Sequence, residues 1–289
     1  MSIETVFVAG AGLMGHGIAQ VLAAAGRRVI LYEPELDRAR AGRARIAGNL
    51  DRAVAKGRLT AGERDAILER IEAVDEIGRV GEADLVVEAV FEDVAVKQGL
   101  FAELDRLARR ETIFASNTSS ISIGRLAEAV APERRRRFLG THFFSPVPVM
   151  PLVELIPGPA TEAGVVEAIR ELAGALGKQV IVAADRPGFI VNRILMPFLA
   201  EAIRAYEAGV GTAEDIDTGA RVGLNHPMGP LELADFIGLD VCLNVMRVLH
   251  EGLGSDQFRP PRLLEELVAA GHLGQKTGRG FYTYPRAGG

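Results

Sequence analysis

Gly10-Ala11-Gly12-Leu13-Met14-Gly15 is a G-x-G-x-x-G run. It stands between a β-prone stretch, 6–9, and a helical pattern, 14–25. A second apolar stretch, 29–32, follows and ends at Glu33. In the strand, turn, helix, strand context this motif is the dinucleotide-binding fingerprint. Gly10 allows the tight turn, Gly12 lets the backbone approach a pyrophosphate, and Gly15 lets helix and strand pack closely. Leu13 and Met14 then open a helix whose free N–H groups face the phosphates. Glu33 lies where a carboxylate accepts from the adenosine ribose and repels a 2′-phosphate, which selects NAD over NADP. The same residues would also serve as a plain glycine turn and a solvated glutamate.

Three further segments concentrate polar groups in apolar surroundings: 116–120 (Ser-Asn-Thr-Ser-Ser), 142–148 (His-Phe-Phe-Ser-Pro-Val-Pro) and 187–193 (Pro-Gly-Phe-Ile-Val-Asn-Arg). The first two follow or end predicted strands, where open α/β sheets place their ligands. In this order and spacing the segments resemble the 3-hydroxyacyl-CoA dehydrogenase family, nearest its bacterial 3-hydroxybutyryl-CoA branch. The resemblance runs from Val6 to Tyr284.

That resemblance implies an NAD-dependent oxidation of a secondary alcohol, which needs a hydride acceptor and a base for the hydroxyl proton. His142 is the natural base because imidazole titrates near neutrality. The family pattern implies that Glu154 hydrogen-bonds His142 and that Ser119 holds the reacting oxygen. It places Asn192 beside the acyl carbonyl. It also places Glu92, Lys97, Ser145 and Lys276 toward the cofactor, and Lys56 toward coenzyme A. Many members carry Asn where this chain has Ser145, a shorter group that still donates and accepts. Each residue has an ordinary use too. Ser119 suits a helix cap, Glu154 an edge strand and Asn192 a helix face. Glu92, Lys97 and Lys56 suit solvated helix positions, and Lys276 suits a loop. The arginines at 134–137 read as a solvated turn in preference to a phosphate patch.

The elements that must position these residues follow from periodicity. Strands are predicted at 6–9, 29–32, 85–87, 113–115, 138–143, 152–156 and 179–182. Residues 37–72 read as two polar helices broken near Gly57 and Thr60, and helices are predicted at 94–107, 122–130 and 162–175. Between 189 and 280 no strand is expected. Helices are predicted at about 189–208, with Pro197 inside, and at 213–222, 230–252 and 261–270. This is an α/β chain: a doubly wound Rossmann-type NAD-binding domain over 1–186, then a smaller all-helical domain over 187–289 that binds substrate and dimerises. Pro187-Gly188 marks the boundary.

Composition excludes other classes. The 289 residues are 48% hydrophobic and 25% charged, with formal charge −5, so no nucleic-acid partner is expected. One cysteine, Cys242, permits no intrachain disulfide. No uninterrupted apolar stretch is long enough to span a membrane, and the N-terminus lacks a secretory pattern, so a cytoplasmic setting is expected. His16, His142, His226, His250 and His272 show no ligand spacing, and no metal is expected. Two alternatives stand beside the leading reading: a dehydrogenase of a free hydroxy acid, and a non-catalytic NAD-binding protein. The second would be marked by loss of His142 or Glu154, and both are present.

Overall fold

The computed structural model describes residues 2–285. The chain divides between Arg186 and Pro187 into two compact units. The first unit runs β1 Thr5–Ala9, α1 Leu13–Ala24, β2 Arg28–Tyr32, α2 Leu36–Ala55, α3 Ala61–Glu69, β3 Ile71–Val74, β4 Leu85–Glu88, α4 Val94–Leu107 and β5 Ile113–Ser116. It continues with α5 Ile123–Ala127, α6 Pro132–Arg135, β6 Phe138–Phe143, β7 Leu152–Pro157, α7 Ala163–Ala175 and β8 Gln179–Val182.

The eight strands form one sheet in the order β3-β2-β1-β4-β5-β6-β7-β8. Every neighbouring pair is parallel except β6 and β7. The central strands β4, β5 and β6 are buried along their whole length. Continuous burial is what helices on both faces of a parallel sheet impose, and it explains unbroken apolar runs such as Leu85-Val86-Val87. The α/β, doubly wound class expected from the sequence is the class observed.

Strand β3 was not anticipated: residues up to 72 read as helix. Its four residues bury only Ile71 and Val74, a spacing that fits helix and edge strand alike. Pairing with β2 decides it. Helix α3 before it has a full capping box, with Thr60 and Glu63 each bonding the other's backbone N–H.

The arginine run is a second correction. Arg134 is buried, not solvated. Its guanidinium bonds Asp105 and the carbonyls of Arg109, Arg110 and Thr112, and it lies 4.7 Å over the Phe114 ring. Five donors in a planar fork suit this task of tying off backbone carbonyls. Nor does 122–130 form one helix, because α5 stops at Ala127.

The second unit is helical: α8 Val191–Glu207, α9 Ala213–Thr218, α10 Pro230–Ile237, α11 Leu239–Leu253 and α12 Arg262–Ala269. Pro197 lies within α8. The expected single helix over 230–252 is two. Gly238 at φ 105° divides them, a conformation that β-carbon-bearing residues avoid. Helix α9 passes into a π turn, Gly219–Gly223. Two buried carboxylates fasten the C-terminal segment. Asp235 accepts from the N–H groups of Phe281 and Tyr282 and from the Tyr284 hydroxyl. Asp217 accepts from Leu231 N–H, Glu232 N–H and the Tyr282 hydroxyl. Burial pushes the Asp235 pKa up although those donors oppose it. No helix among the described residues is long and apolar enough to cross a membrane.

Candidate active site

Between β1 and α1, Gly10 adopts φ 103°. A β-carbon there would lie 2.6 Å from the Ala89 carbonyl oxygen. One on Gly15 would lie 1.8 Å from the Gly10 oxygen, so both positions are closed by the protein itself. Gly12 differs: a β-carbon there meets nothing within 4 Å. Packing therefore gives no reason for glycine at this position, and close approach of a ligand does. Gly12 is the N-cap of α1 without a side-chain cap, and the first turn carries no acidic group. Leu13 is 69% exposed beside it. N–H groups of a first turn that has neither a side-chain cap nor an acidic residue fit a pyrophosphate. Glu33 reaches back, its Oε1 accepting from Ala11 N–H at 2.6 Å, which places a carboxylate directly at the turn.

The ends of β4 and β5 hold a charge network that sequence reading placed only in part. Lys97 and Glu92 are both expected toward the cofactor, with a solvated charge as the ordinary alternative; that alternative fails for Lys97, while the Glu92 side chain keeps 28% of its surface exposed. Lys97 is 1% exposed and lies 2.5 Å from Glu88 Oε1 and 3.3 Å from Glu92 Oε2. Glu88 is fully buried and also accepts from Val90 N–H and the Ser116 hydroxyl. Glu92 Oε1 gathers the Thr118 hydroxyl at 2.6 Å, Ser119 N–H at 2.8 Å and Ser120 N–H at 3.1 Å. The Ser119 hydroxyl also donates to it, at 3.2 Å. Burial works against the Glu92 carboxylate, but the Lys97 charge and these donors outweigh it and hold its pKa below the usual value. Ser119 is thus set on a loop whose shape this network dictates. Glu88 was missed, and Ser116 and Thr118 were singled out only as members of the 116–120 segment. The available signal was an acidic residue ending an otherwise apolar strand.

Strands β6 and β7 form the antiparallel pair of the sheet, and their register sets His142 directly opposite Glu154. His142 Nδ1 lies 2.7 Å from Glu154 Oε2, with the histidine 7% exposed and the glutamate fully buried. An ionised carboxylate only accepts, so Nδ1 carries the hydrogen and Nε2 the lone pair. This is the base and orienter arrangement. Asn117, the residue after β5, accepts from Phe143 N–H and so fixes the end of β6. The Phe144 ring centre lies 4.5 Å from the imidazole. Ser145 is exposed in the loop that follows.

The first unit therefore carries the glycine turn, Glu33, Glu92, Lys97, Ser119, His142, Ser145 and Glu154. Lys56 is exposed at the C-cap of α2. Asn192 is buried in the first turn of α8, and Lys276 is paired with Asp240 at 2.5 Å, both in the second unit. Next to Asn192, the Arg193 guanidinium lies 4.6 Å over the Phe258 ring, so part of the 187–193 motif is structural.

Residues 5–186 match the 3-hydroxyacyl-CoA dehydrogenase NAD binding domain, and residues 188–284 match the C-terminal domain of the same enzymes. The chain belongs to the 3-hydroxyacyl-CoA dehydrogenase family. It is 51% identical to a 3-hydroxybutyryl-CoA dehydrogenase of Bradyrhizobium diazoefficiens over 98% of this chain and 96% of that one. It is 44% identical to human mitochondrial hydroxyacyl-coenzyme A dehydrogenase, over 98% and 91%. The crystal structure of (S)-3-hydroxybutyryl-CoA dehydrogenase from Ralstonia eutropha superposes with a TM-score of 0.94 at 43% identity, covering 98% of this chain and 100% of that one. The fold, the NAD cofactor and NAD-dependent 3-hydroxyacyl-CoA dehydrogenase activity expected from the sequence stand with the family. The hydroxy-acid and non-catalytic alternatives are not favoured. For a 3-hydroxyacyl-CoA dehydrogenase, the open backbone at Gly12 and the N-terminus of α1 without a side-chain cap leave room for a dinucleotide to approach, and Glu33 stands beside that turn.

Proposed function

We propose that the chain interconverts short-chain L-3-hydroxyacyl-CoA, above all 3-hydroxybutyryl-CoA, and the corresponding 3-ketoacyl-CoA. The observation that carries the chemistry is the buried 2.7 Å contact between His142 Nδ1 and Glu154 Oε2. Bound NAD supplies the hydride acceptor at the carbinol carbon. His142 Nε2 takes the hydroxyl proton as the carbonyl forms and returns it in the reverse direction. Glu154 holds the ring in the required tautomer and stabilises the imidazolium. Ser119 hydrogen-bonds the reacting oxygen, its hydroxyl hydrogen turning from Glu92 Oε1 to do so, and Asn192 binds the acyl carbonyl. Gly10, Gly12, Leu13, Met14, Gly15 and Glu33 hold the cofactor's adenosine diphosphate side. Glu92, Lys97 and Ser145 serve its nicotinamide side, Lys276 lies near the cofactor, and Lys56 meets coenzyme A. The short acyl preference is supported by relatives named for 3-hydroxybutyryl-CoA at 46–51% identity.

The same reading makes the protein a homodimer through its second unit and a cytoplasmic enzyme. Support for the dimer comes from apolar side chains left on that unit's surface: Ile194 is 68% exposed and Leu224 62%. The deciding experiment follows NADH absorbance with acetoacetyl-CoA. Turnover with this substrate and none in a His142→Gln variant supports the reading. No consumption of NADH overturns it.

A further inference from the structure

The segment 144–151 joins the strand that carries His142 to the strand that carries Glu154. Two of its carbonyl oxygens, those of Val147 and Met150, accept from one ammonium group: Lys178 Nζ at 2.6 Å and 2.8 Å. Lys178 immediately precedes β8 and is 9% exposed. Among the described residues it takes part in no ion pair, and burial lowers its pKa. Lysine is seldom so buried unless it is paired with a carboxylate. A cation desolvated onto two neutral carbonyls is costly, so its place here answers to what its donors hold. The next residue adds a third tie, Gln179 N–H to the Pro151 oxygen at 2.6 Å.

The same segment also packs on α1. Val147 is 2% exposed, and a β-carbon built on Gly17 would lie 2.9 Å from its Cβ. Gly17 stands two residues beyond the last glycine of the dinucleotide turn. The segment is therefore held both by the helix that opens at the glycine turn and by the Lys178 ammonium.

We propose that Lys178 is a positioning residue for the His142 site. Together with the gap at Gly17 it clamps 144–151, so that Phe144 keeps one placement against the His142 ring. Lysine suits the task because its donors rotate freely on a flexible stem, whereas a guanidinium presents a fixed plane. The proposal rests on the His142–Glu154 chemistry stated above.

Two variants test it. Lys178→Met keeps an unbranched stem and removes the donors. Gly17→Ala inserts a methyl group where Val147 must give way. Each is expected to lower kcat for acetoacetyl-CoA reduction about tenfold per folded site, the cost of a sub-ångström misplacement. The Kd for NADH, read by fluorescence, should stay within about twofold, and the far-ultraviolet circular dichroism should not change. In the double variant the loss should be smaller than the product of the two single losses, because both act through one segment. A Lys178→Met enzyme with wild-type kcat overturns the proposal, as does a multiplicative double variant. If Lys178→Met does not fold, Gly17→Ala decides alone, and an unchanged kcat overturns the clamp. His142→Gln is measured in parallel. If it retains turnover, the chemistry itself fails. If it is dead while Lys178→Met is normal, only the clamp fails.

Discussion

His142 and Glu154 are cross-strand partners, twelve residues apart in the chain and 2.7 Å apart at Nδ1 and Oε2. A one-residue slip between β6 and β7 would send the two side chains to opposite faces of the sheet. The register is therefore what makes the pair. His142→Gln should lower kcat by at least about 10²-fold, the usual scale for a general acid–base group, with little change in NADH affinity. Glu154→Gln keeps the shape and removes the charge, so it should also reduce kcat. Steady-state kinetics with a parallel NADH titration checks both, and wild-type turnover in the histidine variant refutes the assignment.

Glu33 predicts cofactor choice. Its carboxylate accepts from Ala11 N–H at the turn, and a 2′-phosphate brought there meets like charge and loses ribose hydrogen bonds. A cost of about 2–4 kcal/mol corresponds to a preference of about 30- to 1000-fold for NADH over NADPH. The ratio of kcat/KM values measures it, and equal values remove the assignment.

Coenzyme A should matter for turnover and not only for affinity. Binding of a remote substrate part is used to orient the reacting carbon. Acetoacetyl-CoA should exceed free acetoacetate by at least about 10³-fold in kcat/KM. Lys56→Ala should raise KM for the thioester modestly and leave KM for NADH alone. Comparable rates for thioester and free acid would return the chain to the hydroxy-acid class.

The second unit should pair two copies. It is small, and small units bury limited surface by themselves. Sedimentation equilibrium at micromolar concentration should give twice the chain mass of 30.9 kDa. A single-chain mass contradicts the prediction.

Acid should loosen the Ser119 loop. The Glu92 pKa is held below its ordinary value of 4.5, so the folded state binds this proton less readily than the unfolded chain. The stabilisation is fully present above the ordinary value and is lost as pH falls through the lower folded one. Thermal melting of wild type and Glu92→Gln across acidic to neutral pH should show a Tm gap that is constant near neutrality and closes in acid. A gap independent of pH would place the stabilisation elsewhere.

The sequence by itself determined what local pattern and short motifs encode. Gly10, Gly12 and Gly15 between apolar runs declared the tight strand-to-helix turn, because backbone clearance there is a property of glycine alone. The buried strands β1, β4 and β5 were legible as unbroken apolar runs, and the break at Pro187-Gly188 as a change of period. Only tertiary structure decided which polar groups meet. Strand β3 exists because β2 offers it an edge, and four residues carry too little period to announce that. The split at Gly238 follows from one backbone angle that the apolar pattern of 230–252 does not record. Lys97 and Arg134 look like surface charges in the sequence. They are buried because Glu88 and Asp105, which precede them by 9 and 29 residues, come round to partner them. Lys178 is the same case with carbonyls 28 and 31 residues before it. A charge can be buried only where the fold delivers its partner, and that delivery is set by strand order and register, which no local pattern contains.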